Sequence, residues 1–156
     1  MNGDVISERL TQLGVTLPDA AAAVASYVPA LQTGNMLYIS GQLPFVDGVL
    51  KKGRLGHDVS LDEGVAAARA CGIMILAQAQ KALGSLDRIE RIVKLGAFVA
   101  SSSDFTDQPA VANGASELIA DVLGEAGRHT RSAVGVAALP LGACVEIDAI
   151  CMVRPN

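Results

Sequence analysis

Three charged residues near the C-terminus are of the right types to do chemistry together. Arg131 opens the stretch TRSAVGVAALP (130–140), which otherwise holds almost only small or branched apolar residues, and Glu146 and Asp148 alternate with apolar neighbours in CVEIDAICMV (144–153). A guanidinium is a planar fork that can grip a carboxylate through two parallel hydrogen bonds. A half-buried carboxyl group has a raised pKa and can shuttle a proton. An arginine and an acid over a floor of small side chains (Ala133, Gly135) therefore point to a site that clamps a carboxylate and moves a proton beside it. The structural alternative is an interface ion pair on an ordinary strand. No His/Cys/acid cluster has the spacing of a metal site, and this chemistry needs no metal or cofactor.

Elements that would position these residues can be read from the pattern. ISERLTQL (6–13) forms a short amphipathic helix stopped by Gly14, followed by a Pro- and Ala-rich connection, so residues 1–24 read as an accessory segment. MLYIS (36–40) is a strand, and LPFV and VL (43–50) flank Asp47-Gly48, a pair suited to a tight hairpin because both central residues take positive φ. Ser60-Leu61-Asp62-Glu63 is a capping box, and the apolar stripe from Leu61 to Leu83 predicts a helix ending at Gly84. Residues 91–100 predict a strand, Pro109 to Leu123 a second helix ending near Gly124 or Gly127, and residues 131–139 and 144–153 two further strands. This order suits a single α+β domain over residues 1–156, with both main helices on one side of a largely antiparallel sheet.

Alternation then assigns faces. In the last strand Val145, Ile147, Ala149, Cys151 and Val153 form an apolar row that belongs under the helices, leaving Glu146, Asp148, Ile150 and Met152 on the other side. Phasing the preceding strand by Val134, Val136 and Ala138 puts Arg131, Ala133 and Gly135 on the uncovered side, together with Glu146 and Asp148. His129, two residues before Arg131, shares its face. No helix remains to cover the Ile150 side, so symmetric self-association is expected, with clefts between subunits.

Bulk properties limit the function classes. The chain has 156 residues, 51% of them apolar, 3% aromatic and none Trp, so its core must be built from Ala, Val, Ile and Leu. A net charge of −4 argues against nucleic acid as a partner. Cys71, Cys144 and Cys151 form no CxxC pair, and the acidic N-terminus MNGDVISERL lacks the pattern of an export signal. A cytoplasmic protein with no membrane association is expected.

The segments YVPALQTGNMLYISGQLP (27–44), VKLGAFVASSSDF (93–105), RSAVGVAALP (131–140) and VEIDAI (145–150) resemble the RidA/YjgF family, the reactive intermediate deaminases once called L-PSP endoribonucleases. The similarity spans residues 25–153. It implies a chorismate-mutase-like fold assembled as a homotrimer, with subunit-interface clefts that hydrolyse reactive enamines or imines to keto acids and ammonia without a cofactor. By the same resemblance Arg131 holds the substrate carboxylate, Glu146 helps place the attacking water, and Tyr27, Ser40, Gly41 and Asn113 line the pocket. The family's common RSC is RSA here, so Ala133 replaces a thiol. Gly135 and Ala138 replace charged residues, and the N-terminal helix, the loop at 53–59 and the segment DQPAVANG (107–114) mark a divergent subgroup. A non-catalytic trimeric binder of small carboxylic acids is the alternative, and an endoribonuclease or translation inhibitor fits the charge poorly.

Overall fold

A computed structural model of the chain describes residues 3–23 and 25–156; residues 1, 2 and 24, which the single-domain and accessory-segment readings include, lie outside the described residues. The elements in order are α1 (Gly3–Gln12), β1 (Ala30–Thr33), β2 (Met36–Gln42), β3 (Phe45–Val46), β4 (Val49–Leu50), α2 (Leu61–Leu83), β5 (Ile89–Ala100), α3 (Gln108–Leu123), β6 (Thr130–Val136) and β7 (Val145–Val153), with short 3-10 turns after α2, after α3 and before β7. The result is α+β, as expected. Five strands form one sheet in the order β1-β2-β7-β5-β6, antiparallel except for the β5–β6 pair, while β3 and β4 form a separate hairpin.

Local chemistry accounts for the main elements. Ser60 accepts from the Glu63 amide while the Glu63 carboxylate accepts from the Ser60 amide, and Gly84 at φ 81° closes α2 by donating its N–H to Gln80 O. Asp47 (φ 51°) and Gly48 (φ 77°) make the β3–β4 turn with both residues left-handed. Strand β1, which the sequence pattern does not predict, joins β2 through the two-residue turn Gly34-Asn35. Helix α1 docks on the end of α3, with Ile6 buried and Arg9 donating to Val122 O.

Both long helices cover one side of the sheet, where Leu37, Ile39, Leu95, Ala97, Val99, Val145, Ile147, Ala149, Cys151 and Val153 are all buried. With so few aromatic residues, density comes from close backbone approach. A Cβ on Gly114 would collide with Val65 O, and one on Gly72 would stand 3.2 Å from Ala115 Cα. Small residues thus bring α2 and α3 into near contact of their backbones.

Strand β7 alternates as expected, and β6 does not. Its register with β5 pairs Leu95 with Arg131, Ala97 with Ala133 and Gly96 with Ser132, so Arg131 and Ala133 lie on the covered side. Ser132 and Val134 face the uncovered side with Glu146 and Asp148, as by alternation does Val136, and Ala138 lies beyond the strand. The predicted phase of this strand is therefore inverted. The physical reason is position: β6 is the edge strand, flanked on its helical side by α3, so small residues and one arginine suffice there. Its valines point outward, Val134 being 46% exposed. Nor do β6 and β7 pair, because β5 lies between them.

Candidate functional site

The residues singled out by type and resemblance fall into two groups, on opposite sides of the sheet. The first is built where β6 meets α3. Arg131 Nη1 donates to Asn113 Oδ1 at 2.9 Å and to Ser116 Oγ at 3.1 Å, and Nη2 donates to Pro109 O at 3.3 Å. All three acceptors come from one helix, with Asn113 and Ser116 one turn apart. A guanidinium has five N–H groups; three are engaged here, and Nε–H and one Nη2–H keep no partner among the described residues. His129 sits beside this group, as its position two residues before Arg131 predicted: its Nε2 is 2.8 Å from Ser116 Oγ and its Nδ1 is 2.6 Å from Gly127 O. Ser116, Glu117, Ala120, Arg128, His129 and Arg131 line an open groove.

The second group surrounds Glu146. Strand β2 shifts register between Ile39 and Gln42, and Gly41 at that irregularity lies directly under the carboxylate. A Cβ on Gly41 would stand 2.5 Å from Glu146 Oε1, so only glycine leaves the side chain where it is. Glu146 lines a cavity of about 410 Å³ together with Tyr27, Gly41, Met74, Phe45 and Pro140, among others. Its carboxyl is pushed above the ordinary range, first by burial and then by the neighbouring Asp148 charge. Asp148 is also raised by burial, against the opposing pull of a hydrogen bond from the Gly96 backbone and of Lys94. A half-buried acid of this kind can hold a proton and release it.

Ser40 serves this second group indirectly. Its hydroxyl donates to Val28 O at 2.7 Å and its amide to Pro29 O at 2.9 Å, which ties down the segment carrying Tyr27. Tyr27 stands between the Glu146 cavity and a groove on the uncovered sheet face lined by Tyr38, Lys94, Ser132 and Asp148. The far wall of the cavity is held by a buried amide pair: Gln78 Nε2 donates to Ala21 O at 2.7 Å and to Gln42 Oε1 at 3.2 Å.

The structure therefore brings Tyr27, Gly41 and Glu146 together, brings Arg131 and Asn113 together, and separates the two sets. The expectation that Arg131 and Glu146 share the uncovered sheet face, and with it a hollow closed by a second copy, is corrected by the β5–β6 register and by the contacts of Arg131 to α3, which put them on opposite faces. Ser116 went unrecognised in the sequence; the signal available was its place one turn after Asn113 on the same helix. No group of three or more His, Cys, Asp and Glu residues able to hold a metal ion occurs among the described residues.

The chain and its fold have relatives. Residues 7–153 match the family described as "YjgF/chorismate_mutase-like, putative endoribonuclease". Protein TCP17 of Trypanosoma cruzi is 52% identical over 147 residues, covering 93% of this chain and 92% of that one. The crystal structure of Atu1372 from Agrobacterium tumefaciens, a protein of unknown function, is 51% identical and covers 97% of this chain and 94% of its own, with a TM-score of 0.92. RidA from an Antarctic Psychrobacter is 34% identical, covering 86% and 94%, with a TM-score of 0.62. The chain belongs to the YjgF/RidA family, and its fold is the YjgF/chorismate-mutase-like α+β fold.

Proposed function

We propose that the protein is a cofactor-free hydrolase of reactive 2-imino or enamino acids, working in clefts that two copies of the chain complete together. The observation that carries this reading is the complementarity of two half-sites. One surface presents an arginine gripped at one end and unpartnered along its Nε/Nη2 edge; the other presents a cavity whose acid has a raised pKa. Neither half suffices alone. A head-to-tail contact in a closed ring sets one copy's arginine against the next copy's acid at every interface, and a homotrimer is the smallest such ring. The uncovered sheet face, where Tyr38 (44% exposed) and Val134 lie, supplies apolar area for the contact.

In this reading Arg131 takes the substrate carboxylate through its two unpartnered donors, and Asn113 keeps the guanidinium in place. Tyr27 and Gly41 of the facing copy shape the pocket, and Ser40 holds the Tyr27 segment. Water adds its oxygen to the imine carbon while Glu146 accepts a proton from it and returns one to the nitrogen. The carbinolamine then collapses: the C–N bond breaks, ammonia leaves with the hydroxyl proton, and a keto acid remains. An imine carbon is already electrophilic, so positioning and one proton carrier meet the chemical need. Relatedness to RidA supports the same chemistry, and the acidic net charge disfavours RNA as substrate.

The test generates 2-iminopropanoate in situ and follows keto acid formation. Wild type is expected to accelerate it and Arg131→Ala to return it to the uncatalysed rate. Equal rates for the two proteins overturn the reading. A keto acid that raises thermal stability while the imine is not turned over favours a carboxylate-binding role, and RNA binding at low salt favours the endoribonuclease reading.

A further inference from the structure

The hydrogen bonds behind Arg131 have a fixed direction. Gly127 O can only accept, so the 2.6 Å contact requires the proton on His129 Nδ1. In the neutral ring Nε2 is then a bare acceptor, and the 2.8 Å contact is the Ser116 hydroxyl donating to it. With its only hydrogen committed, Ser116 Oγ turns lone pairs toward Arg131 and accepts Nη1–H at 3.1 Å. Each link sets the next. The chain starts from a carbonyl whose place is itself dictated, because a Cβ on Gly127 would meet Ile119 O and stand 2.9 Å from Ala120 Cα. Only glycine lets this turn lie against α3 with its carbonyl next to the imidazole.

We infer that Ser116 and His129 are positioning residues for Arg131: through the directed chain Gly127 O, His129, Ser116 they orient the guanidinium so that its Nε/Nη2 edge faces a carboxylate. This rests on the reading of Arg131 as a carboxylate clamp. An unsupported arginine samples many rotamers, whereas two-point capture needs one plane. Asn113 and Pro109 O hold the Nη1 end and Nη2, and Ser116 fixes the remaining Nη1–H, so the plane is defined by three acceptors. The other charged residues lining this groove are Arg128, already paired with Glu125 at 3.2 Å, and Glu117.

The experiment compares wild type, Ser116→Ala, Ser116→Thr, His129→Ala and Arg131→Ala for imine hydrolysis, for 2-oxobutanoate binding by calorimetry and for melting temperature. Loss of the hydroxyl or of the imidazole is expected to raise KM and the 2-oxobutanoate Kd roughly tenfold, as for one hydrogen bond to a charged group, with kcat changed less than about twofold. Ser116→Thr keeps a hydroxyl and is expected to stay near wild type. Nitrogen-15 spectra of His129 are expected to show Nδ1 protonated and Nε2 bare, with Nε2 shifting in Ser116→Ala. If Ser116→Ala and His129→Ala bind 2-oxobutanoate like wild type while Arg131→Ala does not, the chain only staples β6 to α3: the inference fails and the proposed function stands. The opposite tautomer of His129 also overturns it. If Arg131→Ala itself binds and turns over like wild type, the proposed function fails first.

Discussion

Arg131 and Glu146 lie on opposite faces of one five-stranded sheet, the arginine beside Leu95 under α3 and the acid beside Phe98 above Gly41. Strand β5 separates their strands and the sheet separates their side chains, so the two do not meet within the folded chain. Any chemistry that needs both must draw them from two chains.

Mixed oligomers test this directly. Arg131→Ala keeps the acid and Glu146→Gln keeps the arginine, so each alone is expected to be inactive. If the chains assemble as the proposed trimer, co-refolding at equal amounts gives every mixed trimer one intact cleft in three. Since random assembly makes three-quarters of the trimers mixed, activity is expected to return to about a quarter of wild type. A mixture as inactive as its parents rules the shared cleft out.

Gly41 offers a probe of the acid alone. An alanine there would place its methyl 2.5 Å from Glu146 Oε1 and 2.8 Å from Cδ, and the neighbour that must yield is the end of a side chain rather than backbone. Gly41→Ala is expected to fold with little loss of melting temperature, while the displaced carboxylate lowers kcat by about tenfold or more. Paired measurements of kcat and melting temperature check the split.

The raised pKa of Glu146 sets a pH dependence of stability. Burial, helped by Asp148, favours the protonated carboxyl in the fold, relative to an ordinary value of 4.5. At low pH the group is protonated in both folded and unfolded states and costs nothing. As pH rises through the folded pKa, the unfolded state loses its proton more readily and stability falls. Glu146→Gln is therefore expected to melt above wild type near neutral pH, with the gap closing as pH falls below the ordinary carboxyl range. Thermal melts across pH check the direction, and a gap that widens on acidification contradicts it.

Helix packing gives the prediction with the largest stability change. The ideal Cβ at Gly114 lands on Val65 O, a backbone atom that can yield only if α2 and α3 separate. Gly114→Ala is expected to cost about 3 kcal/mol and lower the melting temperature by roughly 6–12 °C. At Gly72 the nearest atom is 3.2 Å away, so Gly72→Ala is expected to cost less. Calorimetry on both variants checks the ranking.

What the sequence revealed and what it hid follow from the range of the forces involved. Helix α2 was legible end to end because a capping box and a left-handed glycine act within one turn. Asp47-Gly48 marked its hairpin for the same reason, and β7 announced its faces because every second residue is buried. Strand β1 was not legible: three of its four residues are exposed, so no burial pattern repeats along it. The phase of β6 was misread because its parallel partner β5, remote in sequence, sets its register, while its own small residues satisfy either phase. The site was half legible. Residue type flagged Arg131 and Glu146, but which neighbours they keep depended on that same register, and Ser116 became meaningful only once Arg131 pointed toward α3.

Cys71, Cys144 and Cys151 are all buried, and burial lifts Cys151 to about 12. Cys144 lines a surface pocket beside Lys51 and Val59, whereas the Cys71 and Cys151 thiols stay protonated and out of reach of alkylating reagents while the core is closed. The native protein thus carries two built-in reporters that stay silent while the core is closed, so the pace at which they become labelled counts how often that core comes apart.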